Sequence, residues 1–222
     1  MSTLVEHHVL ASHYCEFTCR GDVEISTGFL MGRLLHALHI TMVNATPKHG
    51  RCSLGITFPQ YRPFEAEDYR RVQPQADSDS SGWPLPPIGS QIRLFARSET
   101  ELQAIEWSRS MVGLGDYIDR SAPRSTPRTV DRFAAFARRQ PKGSPERLMR
   151  RAMKRHGIDE AEARRRYANY SIDRCRLPWV DMKSEGSRHQ FRLFIERIER
   201  PASTDWGFST YGLSRSVGLP DF

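Results

Sequence analysis

The sequence predicts an α+β fold in two parts, on three observations. Residues 1–120 switch between strand and helix periodicities in the order strand, helix, strand, strand, helix, strand. Residues 121–222 concentrate the positive charge, with 22 Lys and Arg against 12 Asp and Glu, whereas residues 1–120 hold 11 against 14. The second part also contains a helix, residues 145–156, with one wholly cationic face. At 222 residues, 38% hydrophobic and 10% aromatic, the chain can bury a core and is not a basic disordered tail. The βαββαβ order over 1–120 is that of a ferredoxin-like domain, a unit used by RNA-binding proteins. Residues 121–222 form a basic C-terminal region.

Residues 1–11, with His7 and His8, read as a disordered lead-in. Residues 13–20 alternate as a strand through Tyr14, Glu16, Phe17 and Cys19, and turn at Gly21 and Asp22. From 26 to 43 the period becomes helical, with Phe29, Leu30, Leu34, Leu35, Leu38 and Met42 at three- and four-residue intervals. A strand at 53–58 ends at Pro59. The Pro-, Ser- and Asp-rich stretch 73–87 reads as a loop insertion. Residues 88–97 form a strand, 99–112 a helix packing Leu102, Ile105 and Trp107 or Met111, and a strand lies near 115–118. The Pro/Arg/Thr-rich stretch 121–129 links to the basic half, whose clearest strand is 191–195.

The basic helix carries the strongest chemical signal. Arg147, Arg150, Arg151, Lys154 and Arg155 recur at i, i+3, i+4, i+7 and i+8, and His156 follows. Ser144 can cap this helix, Pro145 suits its first turn and Gly157 its end. Leu148, Met149, Ala152 and Met153 fall on the opposite side and dock it on a core. A solvated charged helix mixes signs for i,i+4 pairing, and here only Glu146 is acidic. A packed row of unneutralised cations suits a polyanion with regularly spaced charge, which is nucleic acid. A second helix starts at Asp159, with Glu162 completing a capping box. The pair is not a helix-turn-helix reader, because the second helix opens on Asp159, Glu160 and Glu162, which repel phosphate.

His36 and His39 lie one turn apart on the helix at 26–43. An imidazole titrates near neutrality and can take the proton of an attacking 2′-hydroxyl or give one to a leaving oxygen. No paired-carboxylate motif of metal nucleases is legible, so neither a metal nor another cofactor is expected. Taken singly, Ser184 is an ordinary loop serine and Tyr211 an ordinary strand tyrosine. The four cysteines (Cys15, Cys19, Cys52 and Cys175) lack metal-ligand spacing and read as reduced packing residues of a cytoplasmic protein. No stretch has the length and apolarity of a membrane span, and no signal peptide is legible.

Taken together, an ordered set of short motifs resembles one family. The set runs through His13-Tyr14, Leu38-His39-Ile40-Thr41-Met42-Val43, Gly55-Ile56-Thr57-Phe58-Pro59 and Ile88-Gly89-Ser90-Gln91-Ile92-Arg93-Leu94. It continues with Arg138-Arg139-Gln140, Ser144-Pro145-Glu146-Arg147-Leu148, His189-Gln190-Phe191-Arg192-Leu193-Phe194-Ile195 and Tyr211-Gly212-Leu213-Ser214. This order and spacing is similar to the CRISPR-associated endoribonuclease of type I-F (Ypest subtype) systems, from about His13 to the end of the chain.

The resemblance implies that the protein binds the stem-loop of a CRISPR repeat and cuts at the base of the stem. The products would be a 5′-hydroxyl and a 2′,3′-cyclic phosphate, with no metal. It implies His39 as the catalytic histidine, Ser184 (seven residues before Phe191) as the active-site serine, and Tyr211 as the tyrosine that orients the histidine. Arg138 and Gln140 would read base edges near the stem foot, Phe191 would stack under the terminal pair, and Ser187 would also contact RNA. Arg150, Arg151, Lys154, Arg155 and His156 would enter the major groove, with Lys154 where the family often has arginine, and Arg147 on the same stripe would also bind RNA. The implied partners are the repeat RNA, the mature guide RNA and the other subunits of a type I-F surveillance complex. A catalytically silent hairpin-binding subunit and a general double-stranded RNA-binding module stay open as alternatives.

Overall fold

The computed structural model describes residues 10–48, 50–63, 65, 88–107, 111–141, 145–170, 175–184, 186 and 189–222. Most of the lead-in and the whole 73–87 stretch lie outside them. The fold is α+β, and the chain divides into a larger unit, Met1–Arg138 with Leu177–Phe222, and a smaller one, Arg139–Arg176.

In the larger unit, β1 (His13–Cys19) is the hub of a five-stranded sheet. The sheet runs in the order β2 (Gly55–Thr57), β3 (Gln91–Ala96), β1 and β4 (Ile118–Arg120), and β5 (Arg124–Ser125) also pairs with β1. Every one of these pairings is antiparallel. The 121–129 link therefore contributes a strand. It is fixed further by Thr126, whose buried hydroxyl donates to the carbonyl of Ala11, itself buried at the end of the lead-in.

Strand β3 is buried along most of its length, including Arg93. A buried guanidinium is tolerated only when paired. Glu16, directly across the β1–β3 ladder, accepts from Arg93 Nε at 3.1 Å and Nη2 at 2.7 Å, and its second oxygen accepts from Arg124 at 2.7 Å.

Helix α1 (Thr27–Ala45) starts where Ser26 Oγ accepts from the Phe29 amide at 3.3 Å. Leu30, Met31, Leu34, Leu35, Leu38 and Met42 are all buried, so the helix is apolar round most of its circumference and covered on more than one side. It packs on β1 and on β7 (Trp179–Lys183). Strand β7 belongs to a second sheet, in the order β7, β8 (Gln190–Glu199), β6 (Phe133–Arg139) and β9 (Leu219–Pro220). Phe58, Phe136, Leu193, Ile195 and the α1 leucines share one apolar core across both sheets.

Helix α2 (Glu99–Gln103) is shorter than the 99–112 helix expected from periodicity. Trp107 explains the early end. Its indole Nε1–H donates to the Leu102 carbonyl at 3.2 Å, taking the acceptor that the next helical turn would use. Leu102 and Trp107 still reach the core, but as a turn and not as a helical face.

In the smaller unit, α3 (Pro145–His156) and α4 (Glu160–Tyr167) form a helical hairpin through Ala152 and Ala163, the buried residue of each helix. Gly157 closes α3 at φ +64°, with its amide donating to Met153 O at 3.0 Å. Asp159 Oδ1 caps α4 from the Glu162 amide at 2.7 Å, as its sequence signature requires. The Ser144 cap lies outside the described residues. Among these, no helix is long and apolar enough to cross a membrane.

Gly32 marks the closest approach of α1 to β7. A Cβ there would fall inside contact distance of the Asp181 carbonyl oxygen, and backbone cannot move aside cheaply. Gly28, four residues earlier on the same helix, faces open space. Gly32→Ala should therefore lower stability by about 1–2 kcal/mol, the overpacking cost less the gain in helix propensity. Gly28→Ala should leave the melting temperature unchanged or raise it. Thermal unfolding of the pair checks this, and equal shifts would contradict the close α1–β7 contact.

Candidate active site

The site is assembled by α1, which carries His39, and by a turn near the end of the chain. Residues 209–214 are held by main-chain bonds and by Ser209 Oγ, which accepts from the Tyr211 and Leu213 amides at 3.3 Å each. The Gly212 amide donates to Ser209 O at 2.8 Å, Ser209 N to Leu213 O at 2.9 Å, and Ser214 N to Phe136 O at 2.9 Å. Ile56 N reaches in from β2 to Gly212 O at 2.9 Å. Gly212 itself sits at φ +68°, and a Cβ there would lie 2.8 Å from Ile56 Cγ2 and 3.1 Å from Met42 Cε. Only glycine permits this turn and this approach together. Tyr211 thus stands on a fixed turn, not in the strand that its sequence neighbourhood suggested.

That turn presents two groups to His39. The Thr210 carbonyl lies 2.9 Å from His39 Nδ1. A carbonyl can only accept, so Nδ1 bears the proton and the neutral ring keeps its lone pair on Nε2. The Tyr211 ring stacks on the imidazole with centroids 3.9 Å apart and planes within 3°. The half-buried ring titrates below the usual histidine range. Burial is the main cause and the nearby His36 adds to it, while the Thr210 bond acts in the opposite sense. His39 is therefore mostly neutral at pH 7.

Two more expected residues gather at the same turn. Arg138, exposed near the end of β6, has its guanidinium carbon 5.6 Å from the centre of the Phe191 ring and 6.0 Å from that of Tyr211. Phe191, half-buried on β8, pairs with Met182 on β7. Ser184 follows β7 directly and opens the β7–β8 hairpin, its amide donating to His189 O at 2.9 Å. Strand β7 is the strand that α1 approaches at Gly32, two helical turns before His39 on the same face. Ser187 lies outside the described residues.

The smaller unit holds the remaining expected residues. Arg147, Arg150, Arg151, Lys154, Arg155 and His156 are all exposed on α3, opposite Ala152. Among the described residues no carboxylate pairs with Arg150, Arg151, Lys154 or Arg155, in contrast to Arg164 on α4, which Glu160 holds at 2.7 Å. Gln140, one residue after β6, is exposed.

Sequence reasoning missed the Thr210 carbonyl, because a main-chain acceptor leaves no trace in residue identity. It also missed the contact of Arg138 with the two rings. The Gly212 that follows Tyr211 was the available signal for an unusual turn. The cysteines are packing groups: Cys15, Cys19 and Cys52 are buried and free. Burial pushes the Cys15 and Cys19 thiols up to about 12, which leaves them inert.

A family profile described as CRISPR-associated protein (Cas_Csy4) matches residues 14–222. The chain is 30% identical over 211 residues to the CRISPR-associated endonuclease Cas6/Csy4 of Pseudomonas aeruginosa (strain UCBPP-PA14), an alignment spanning 95% of this chain and 99% of that protein. It is also 30% identical over 213 residues to the CRISPR-associated endonuclease Cas6/Csy4 of Escherichia coli (strain UTI89 / UPEC), again spanning 95% and 99%. With the profile matching nearly the whole chain, the chain belongs to the Csy4 family of CRISPR-associated proteins.

Proposed function

We propose that this chain is an endoribonuclease that binds the stem-loop of a CRISPR repeat, cuts at the base of the stem and retains the matured guide RNA. The observation that carries the reading is the stack of Tyr211 on a neutral His39 whose Nδ1–H is held by the Thr210 carbonyl. That arrangement aims one basic nitrogen, Nε2, and fixes its tautomer, as a general base requires. The 2′-hydroxyl next to the scissile phosphate gives its proton to Nε2 and attacks phosphorus. The P–O5′ bond breaks, the leaving oxygen takes a proton, and the products are a 2′,3′-cyclic phosphate and a 5′-hydroxyl. The attacking group and the base are both present without a metal, so the reaction proceeds in excess EDTA.

Ser184 positions the 2′-hydroxyl in this reading. From the Gly32–Asp181 contact, His39 is seven helical residues away and Ser184 three strand residues away, each about 10 Å. Phe191 stacks under the terminal base pair, Arg138 and Gln140 read base edges, and Ser187 adds a further RNA contact. The exposed row of Arg147, Arg150, Arg151, Lys154, Arg155 and His156 holds the duplex and supplies most of the affinity. We read the antiparallel order β2-β3-β1-β4 of residues 1–120 as ferredoxin-like, and place RNA binding in the basic 121–222 region. Retained product makes the protein a subunit of a type I-F surveillance complex, with the acidic 1–120 part offered to other subunits.

Replacing Arg151 and Arg155 by alanine should weaken hairpin binding by roughly 2–4 kcal/mol and reduce the salt slope by about two. Filter binding across a salt series measures both, and an unchanged slope would return α3 to a solvated face. His39→Ala should keep hairpin affinity while the single-turnover rate falls about a hundredfold or more, with His36→Ala cutting almost normally. A reversed pair would move the chemistry to His36. Because burial lowers the His39 pKa, the single-turnover rate should rise with pH through a midpoint below 6.5 and stay level from 7 to 8. A rate that falls through that midpoint would make His39 the acid of the reaction.

A further inference from the structure

Arg138 does more in the RNA-free fold than wait for a base. Strand β6 buries Ala134, Ala135, Phe136 and Ala137, and the Phe136 carbonyl accepts from Ser214 N at 2.9 Å. The strand is thereby bonded to the end of the turn that carries Tyr211. Side chains two apart on a strand share a face, so Arg138 emerges on the side of Phe136, where β6 leaves the core. Its guanidinium then lies over Phe191 and Tyr211 at once, 5.6 and 6.0 Å from the ring centres. The same Tyr211 ring stacks on His39 at 3.9 Å.

The backbone bonds of the 209–214 turn fix the Tyr211 main chain but not its ring. Ring orientation is set by what touches the faces. An imidazole on the ring and a guanidinium held over it by Phe191 as well confine the side chain. The column from Phe191 through Arg138 and Tyr211 to His39 joins the ring assigned to the stem foot with the imidazole assigned to the chemistry.

We infer that Arg138 is a positioning residue for catalysis, holding the Tyr211 ring against His39, in addition to any contact it makes with RNA. This rests on the proposed function for its kinetic consequence but not for its geometric one. An Arg138 that meets a base at the stem foot while staying over Tyr211 would let recognition and cutting share one side chain.

Two measurements test it. In the RNA-free protein, Arg138→Ala should shift the His39 ring resonances towards unstacked values in an NMR spectrum, whereas Arg138→Lys, which keeps the cation, should shift them less. At saturating protein, where lost affinity no longer matters, Arg138→Ala should slow single-turnover cleavage about tenfold, within the coupling range of touching residues. In a Tyr211→Ala background the same replacement should cost little or nothing further, because the ring it positions is gone. Equal losses in both backgrounds, or His39 resonances that Arg138→Ala leaves unmoved, would overturn the proposal. If the unaltered protein cut no repeat hairpin, the functional reading would fail while the NMR measurement still decided the role of Arg138.

Discussion

The bond from His39 Nδ1–H to the Thr210 carbonyl joins residues 171 positions apart, and the rest of the site is arranged around it. It selects the tautomer, sets the plane of the imidazole and brings Tyr211, the next residue, into parallel contact. Its geometry needs the 209–214 turn held against β2 and α1, which Gly212 allows through one main-chain bond from Ile56 and an approach to Ile56 and Met42 too close for any Cβ. It needs α1 fixed sideways as well, which Gly32 allows against β7. The large apolar core shared by the two sheets thus locates one imidazole. A half-buried ring in this setting stays neutral near pH 7, which suits a base that must accept a proton and not begin with one.

In the proposed function, affinity and chemistry are divided between different kinds of surface. The cations of α3 are exposed, so single contacts with phosphate are weak and screened, and their effect comes from number and spacing along one helical face. Such a row tolerates loss of one member. The His39, Tyr211 and Arg138 column is the reverse case. It contains few groups, each touching the next, and its members act as a unit in which effects are not additive. In the proposed function, substitutions on α3 therefore change binding and its salt dependence, and substitutions in the column change rate.

Much of this was legible in the sequence, for identifiable reasons. The α1 period and the Ser26 start were clear because the helix buries leucine at nearly every turn. The cationic face of α3 and the Asp159 cap of α4 were clear because both are local patterns. Strand β6 was not legible: Ala134, Ala135 and Ala137 have weak strand preference, and it is a strand because β8 and β9 pair with it on either side. The helix at 99–112 was overread, since burial of Leu102 and Trp107 is met by a turn that the indole closes. His36 and His39 could not be separated by periodicity alone. The stack and the Thr210 carbonyl separate them, and both arise from distant backbone.

Attack by a neighbouring 2′-hydroxyl is most directly tested on the RNA, leaving the protein untouched. A repeat hairpin carrying one 2′-deoxy nucleotide immediately upstream of the scissile phosphate lacks the internal nucleophile but keeps every phosphate and every stem edge. Proton removal by His39 predicts binding close to that of the all-ribose hairpin, because phosphate contacts dominate affinity, and no cleavage even at high protein with magnesium added. Efficient cleavage of the deoxy hairpin in magnesium would mean that a metal-activated water is the nucleophile, and would contradict the role given to His39.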